Sequence, residues 1–318
     1  MMNKEPRSVP RGSFRSRQIP SHGSATAPAG GLTRQVLGRE RTVKEAPTRS
    51  LKPPLPVLLA ATSKDAERVP SEWSKSRATL HKSEQLSKSL IDAGMPHGLT
   101  LDPVPNTNLY WFAKLYEFIT YEEISPRNIN NLEWPSFLLH FIPIFYDMYY
   151  DAMQAFLGGR QVSKLWEEHF QFASQTYKED LFQHEITKSI RTGVTAHIQG
   201  DMPEALFNAY QGYVKTYYAN SRVQPPQFED FHKDFFDRNK PVFSIVKGDL
   251  FTEIARITRG GYFIVGVGLL SVDALREVIA SGETCPFIEG MSIDQIFLWR
   301  QNAWTAAKTR IDAVRGKK

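Results

Sequence analysis

The 318-residue chain has a single cysteine, Cys285. One thiol closes no intramolecular disulfide and builds no multi-cysteine zinc site, so no oxidising compartment is required. Cys285 stands beside Pro286 with no histidine close in sequence, and reads as a small core hydrophobe rather than a nucleophile. There is no Gly-x-Ser-x-Gly elbow and no Walker phosphate loop. Gly266-Val-Gly268 follows a β-branched stretch. It lacks a third glycine at dinucleotide spacing and no alternation of strands and helices surrounds it, which leaves a short strand or hairpin as the reading for residues 260–270. No secretory signal is expected, because the first apolar run, residues 55–61, is late, short and preceded by prolines. No uncharged run reaches membrane length. Residues 137–157 come closest, but carry His140, Pro143, Asp147 and Asp151. Two carboxylates in lipid are expensive, and a core helix of a bundle explains the stretch better.

Charge of one sign is missing from neither half, but it is unevenly placed. Residues 1–52 hold 11 basic and 3 acidic side chains, a net +8, while the remainder carries 28 basic against 31 acidic. The chain's +5 therefore belongs to a basic leader on a mildly acidic body. The leader is rich in Arg, Ser, Pro and Gly and too poor in apolar residues to bury a core, so it is expected to be disordered. Three meanings stay open for it: a solvated leader with no partner, a delivery or packaging signal, or electrostatic adhesion to nucleic acid or anionic lipid. Pro6, Pro10 and Pro20 oppose the amphipathic helix of an organelle address. The basic residues are dispersed, so no strong case for nucleic acid arises. The protein is expected to be cytoplasmic as synthesised, with export or packaging through the leader as the alternative.

All 6 Trp and 12 Tyr lie after residue 52. Residues 53–79 read as a linker and 80–318 as one helical domain of ordinary core size. Apolar residues at Tyr110/Trp111, Leu115 and Phe118/Ile119 show the three-and-four spacing of a buried helix face. Helices are expected over 83–93, 109–121 and 134–157, the last ended by Gly158-Gly159. Ser163 is a plausible N-cap for 164–177. Residues 178–192 and 193–218 form one long helix or two collinear ones. Helix resumes over 228–256, with Pro241 as a break or first turn, and over 292–314. The architecture expected is all-α: a single bundle of about seven to nine helices behind a disordered tail.

The chemically informative segment is Gly193-Val-Thr-Ala-His197-Ile-Gln-Gly-Asp201-Met-Pro203-Glu204-Ala-Leu. His197 and Asp201 are four apart and project from one helix face. Ile186, Ile190 and Val194 lead into His197 at spacings of four, four and three. A His and an Asp thus continue an apolar stripe, and a buried carboxylate must be paired or metal-bound. A second polar stripe, His140, Ile144, Asp147 and Asp151, runs along the aromatic helix. Facing the two stripes would assemble a carboxylate–histidine metal site of the kind bundles use. His197, Asp201 and Asp147 are the candidate ligands of a zinc or other divalent ion. Asp151 and Glu204 are the candidate catalytic acid–base groups. The bland readings are a satisfied core hydrogen bond for His197–Asp201 and a solvated groove, or pairing with Arg191 or Arg300, for Asp147 and Asp151. His169 and His184 are further candidates.

Three segments carry a resemblance: 111–120 (WFAKLYEFIT), 193–206 and 300–306 (RQNAWTA). In order and spacing they resemble a bacterial all-helical family known as a domain of unknown function (number five-nine-nine-five). Its pattern is F-A-x-L-Y, then G-M-N-A-H-I-N-x-D-L-P-x-A-L, then R-x-x-A-W-x-x-A. Val194-Thr195 and Gln199-Gly200 depart from it. Gly193, His197 and Asp201 are also similar to the G-x-x-x-H-x-x-x-D core of zinc-dependent phospholipase C and single-strand nucleases. That resemblance implies metal ligation by His197 and Asp201. Leu206 and Phe207 stand where those enzymes place a further histidine, so a full three-metal site is not expected.

Two functional readings follow. One is a metal-dependent hydrolase of phosphoester or lipid-like substrates. The other is a non-enzymatic helical module that binds a small molecule or a protein partner, its pocket lined by the aromatics of 137–157. Either is compatible with an exported or packaged effector whose leader engages a transport machine.

Overall fold

The computed structural model describes residues 63–92, 107–175, 183–257, 262–265, 268–271 and 292–316, together with Pro105. The chain divides into two units, Met1–Arg49 and Ser50–Lys318. All described residues belong to the second, so the leader, Cys285 and the side chain of His184 lie outside them.

The described body is an all-α bundle. Helix α1 (Val69–Asp92) is followed by α2 (Leu109–Glu123), the short α3 (Pro126–Ile129), α4 (Pro135–Leu157), α5 (Lys164–Ala173), α6 (Gln183–Thr195), α7 (Met202–Tyr218), α8 (Lys240–Ile257) and α9 (Ile293–Arg315). Between α8 and α9, β1 (Tyr262–Val265) pairs antiparallel with β2 (Gly268–Ser271), Tyr262 opposite Ser271. No helix of the described residues is long and apolar enough to cross a membrane.

The start and stop chemistry is local. Ser125, Ser163 and Ser292 cap α3, α5 and α9, their hydroxyls accepting from the backbone N–H of Asn128, Trp166 and Gln295. Helix α4 ends at Gly158, and Gly159 takes a φ of 71°, where a side chain would be strained. The start of α4 has no cap of its own. Asp234 supplies one from across the fold, accepting from Glu133 N at 3.1 Å and Trp134 N at 2.6 Å.

The helical domain begins earlier than residue 80. Val69 and Trp73 are both in the core, and the Trp73 indole donates to the Ile124 carbonyl at 3.1 Å. The stretch read as linker is polar on its outer face because it carries only one buried stripe, and that stripe was too sparse to register as a helix.

Helix α1 packs against α2 and α4, and α4 in turn packs against α7. A buried polar seam lies along this side. Asp65, fully buried, accepts from Ser136 and from Tyr213. Glu72, also fully buried, meets His140 Nδ1 at 3.1 Å and accepts from Lys75 at 2.7 Å and from Tyr217. Burial pushes the Glu72 carboxyl up, but His140, Lys75 and Tyr217 together bring it down to about 2 from 4.5. A carboxylate with a depressed folded-state pKa stabilises above its unfolded value, and that stabilisation is lost as pH falls. The window here runs from pH 4.5 down to about 2. Urea unfolding across this range should show a steep loss of stability that Glu72→Gln lacks. Parallel curves for the two proteins would mean that Glu72 is not held as described.

Candidate functional site

Helix α6 runs straight into a π-helical turn, Ala196–Asp201, and then into α7. The turn has a sequence cause. Pro203 has no N–H to give the Gln199 carbonyl, and its ring would crowd that oxygen, so the helix widens just before it. A second π turn, Asp234–Arg238, ends at Asn239, after which Pro241 sits in the first turn of α8. The first turn carries His197 and Asp201, each at most 8% exposed.

His197 Nδ1 lies 3.0 Å from Asp201 Oδ2, and the Trp166 indole donates to that same oxygen at 2.9 Å. An indole N–H can only donate, so Oδ2 is an acceptor. The hydrogen between it and His197 therefore sits on Nδ1, which leaves Nε2 with a bare lone pair. That Nε2 is buried and has no hydrogen-bond partner. Burial lowers the His197 pKa, against the pull of Asp201, so the ring stays neutral. Phe145 stacks on it at 3.5 Å, with Tyr116 and Phe112 edge-on at 5.3 and 5.7 Å.

The imidazole forms part of the wall of a cavity of about 100 Å3 between α2, α4, α6 with its π turn, α8 and α9. Most of that wall is Leu, Ile, Val and Phe. The polar groups on it are few: His197, Tyr116, Glu123, Lys247 and Arg300. Arg300 is buried, donates to the Phe235 carbonyl at 2.9 Å and lies 4.7 Å over the Phe243 ring. Burial lowers its pKa to about 10, with Glu123 opposing, so it remains a cation at neutral pH. Burial also raises Glu123, which accepts from Asn239 at 2.9 Å. The residue pairs Phe112/Tyr116, His197/Ile198 and Arg300 come from the three separate sequence segments 111–120, 193–206 and 300–306, and all reach this one cavity.

Comparison with family models, curated proteins and solved structures found no match for this chain. Its chemistry therefore rests on the residues of the cavity themselves.

The sequence-derived site residues are only partly brought together. Asp147 is half-exposed and pairs with Lys82 of α1 at 3.4 Å. The reason is helical phase: two residues advance about 200° around a helix, and Phe145 is the residue that meets His197. Asp147 thus points away from it, and the expected facing of the two polar stripes does not occur. Asp151 is exposed, but it borders a surface cleft that also reaches Asp201, Trp166 and Arg160. Glu204 pairs with Arg310 of α9 at the surface, which holds its carboxyl below the usual range. Neither Asp147 nor Asp151 pairs with Arg191 or Arg300 among the described residues. His169 is buried, meets Thr192 Oγ1 at 2.9 Å and is pushed down to about 3 by burial.

These residues do not fit the expected metal centre. Asp201 spends Oδ2 on Trp166 and on His197 itself, and Asp147 lies across the helix. Among the described residues no group of three or more His, Cys, Asp or Glu is placed to hold a metal ion. Cavity residues that the sequence did not single out include Phe145, Glu123, Lys247 and Arg300 in its role as a buried cation.

Proposed function

We propose that the domain is a binding module for a compact, mainly apolar small molecule, held in the cavity beside His197. The observation that carries this reading is an apolar cavity into whose wall is set a buried histidine with an unpartnered ring nitrogen. Native cores satisfy almost all buried polar atoms, and an orphan on a cavity wall is a place for a guest. The π turn supports the reading, because such turns recur at functional sites. The hydrolase reading asks for His197 and Asp201 with Asp147 as ligands and Asp151 or Glu204 as base; Asp147 pairs with Lys82 and Glu204 with Arg310, while Asp151 borders the surface cleft that reaches Asp201.

Saturable binding tests this. Toluene, titrated into the full-length protein, should raise its melting temperature with a concentration dependence that fits one site. Val246 of α8 is buried on the cavity wall, and Val246→Phe should fill the space and abolish the shift. Absence of saturable binding by both toluene and p-cresol in the wild-type protein would overturn the reading.

A further inference from the structure

Resting on that reading, we infer that the guest is a hydrophobic alcohol of the phenol class, whose hydroxyl donates to Nε2 of His197. Three observations lead there. First, the tautomer is fixed from outside the cavity. Asp201 Oδ2 takes the Trp166 indole N–H at 2.9 Å and the imidazole Nδ1 at 3.0 Å. With Nδ1 protonated, Nε2 can only accept. Second, Nε2 is buried and unpartnered, so a guest without a donor would leave it desolvated, the costly half of a broken hydrogen bond. Third, the space is small and aromatic. At about 100 Å3 it is of the order of the apolar cavity that accepts benzene, and Phe145, Phe112 and Tyr116 crowd the imidazole with ring faces and edges.

The chemistry excludes the neighbouring classes. A carboxylate has no donor for Nε2 at neutral pH; drawn to the Arg300 cation on the same wall, whose Nε is also unpartnered, it would leave the imidazole lone pair desolvated. An aliphatic amine has donors but arrives charged, and a bare cation is costly in an apolar cavity. A plain hydrocarbon fills the space and strands Nε2. A phenol combines a neutral O–H with an apolar body of one ring. A site built to receive a hydroxyl rejects the analogue without one far better than a greasy site rejects an extra methylene.

The test uses p-cresol, toluene and benzoate on the full-length protein at pH 7, by calorimetry, with 15N NMR of the histidine rings in parallel. The expected result is p-cresol binding about tenfold or more tighter than toluene, corresponding to about 1.4 kcal/mol, with benzoate weaker than both. p-Cresol should move the His197 Nε2 resonance away from the bare-nitrogen position, and toluene should not. In His197→Leu the ratio of p-cresol to toluene affinity should fall to about one. If that variant does not fold, the wild-type ratio and the Nε2 shift still decide. Toluene binding as tightly as p-cresol, or a preference that survives His197→Leu, overturns the phenol assignment and leaves the cavity as a binding site. Binding of none of the three overturns both readings.

Discussion

Asp201→Ala is expected to lower the unfolding free energy by about 3–5 kcal/mol. The carboxylate is 8% exposed and serves two buried donors, the Trp166 indole and His197 Nδ1. Removing it strands both, and each buried orphan costs about 1–3 kcal/mol. The imidazole can move its proton to Nε2, but Nε2 is itself buried and without a partner, and the indole has no second tautomer. Asp201→Asn can set its one carbonyl oxygen where Oδ2 stands and accept from both donors, losing only the charge, so it should cost less than the alanine variant. Chemical denaturation with a common m-value checks both variants. A loss below about 1 kcal/mol in the alanine variant would mean that water reaches Trp166 and His197 readily, and that the fixed tautomer on which the cavity's chemistry depends does not hold.

Gly193→Ala is expected to destabilise by about 3 kcal/mol, opposite in sign to its intrinsic helix preference. In an exposed helix interior the change would gain about 1 kcal/mol. Here a Cβ would lie 2.5 Å from Cδ2 and 2.6 Å from Cγ of Phe112, against an ordinary carbon–carbon contact near 3.5–4.0 Å. The ring is hemmed in by Tyr149 at 4.9 Å and Trp166, His169 and His197, each at 5.7 Å, so it can yield only into the cavity it lines. Overpacking of such a site costs about 1–3 kcal/mol, occasionally more. Phe112 lines the cavity, so its displacement should also weaken toluene binding. Phe112→Leu in the same chain should recover part of the loss, and a double-mutant cycle measures the coupling. A neutral or stabilising Gly193→Ala would show that α6 and α2 do not approach as closely as described. The glycine four residues before His197 thus has a steric reason that needs no metal: it lets α6 lie on the Phe112 ring.

Much of the body was legible in sequence. The three-and-four spacing over 109–121, the Ser163 cap and the Gly158 stop all describe contacts within one helix, which neighbouring residues determine by themselves. The stripe Ile186, Ile190, Val194 and His197 was legible too, and all four are buried. The linker reading of 53–79 fails over 69–79, where α1 runs, because polarity there reads as linker. Trp73 and Val69 are buried, but the same helix sinks Ser76, Thr79 and Ser83, which look solvent-facing in a sequence. The second stripe misled for a related reason. His140, Asp147 and Asp151 do share a side of α4, yet a spacing says only that residues share a side, and is silent on what that side meets. His140 meets Glu72, and Asp147 meets Lys82.

Sequence alone determined the helical class, most of the helix ends, and the burial of His197 and Asp201 on one face, because these follow from the 3.6-residue period and from side chains within a few positions of one another. Only the tertiary structure decided which atoms those two residues would meet. The Trp166 indole, 35 positions from Asp201, fixes which imidazole nitrogen keeps its proton. Arg300, Phe145 and Phe112 arrive from three other helices to close the cavity. Contacts between residues so far apart depend on how helices pack, and packing leaves no period in a sequence to read.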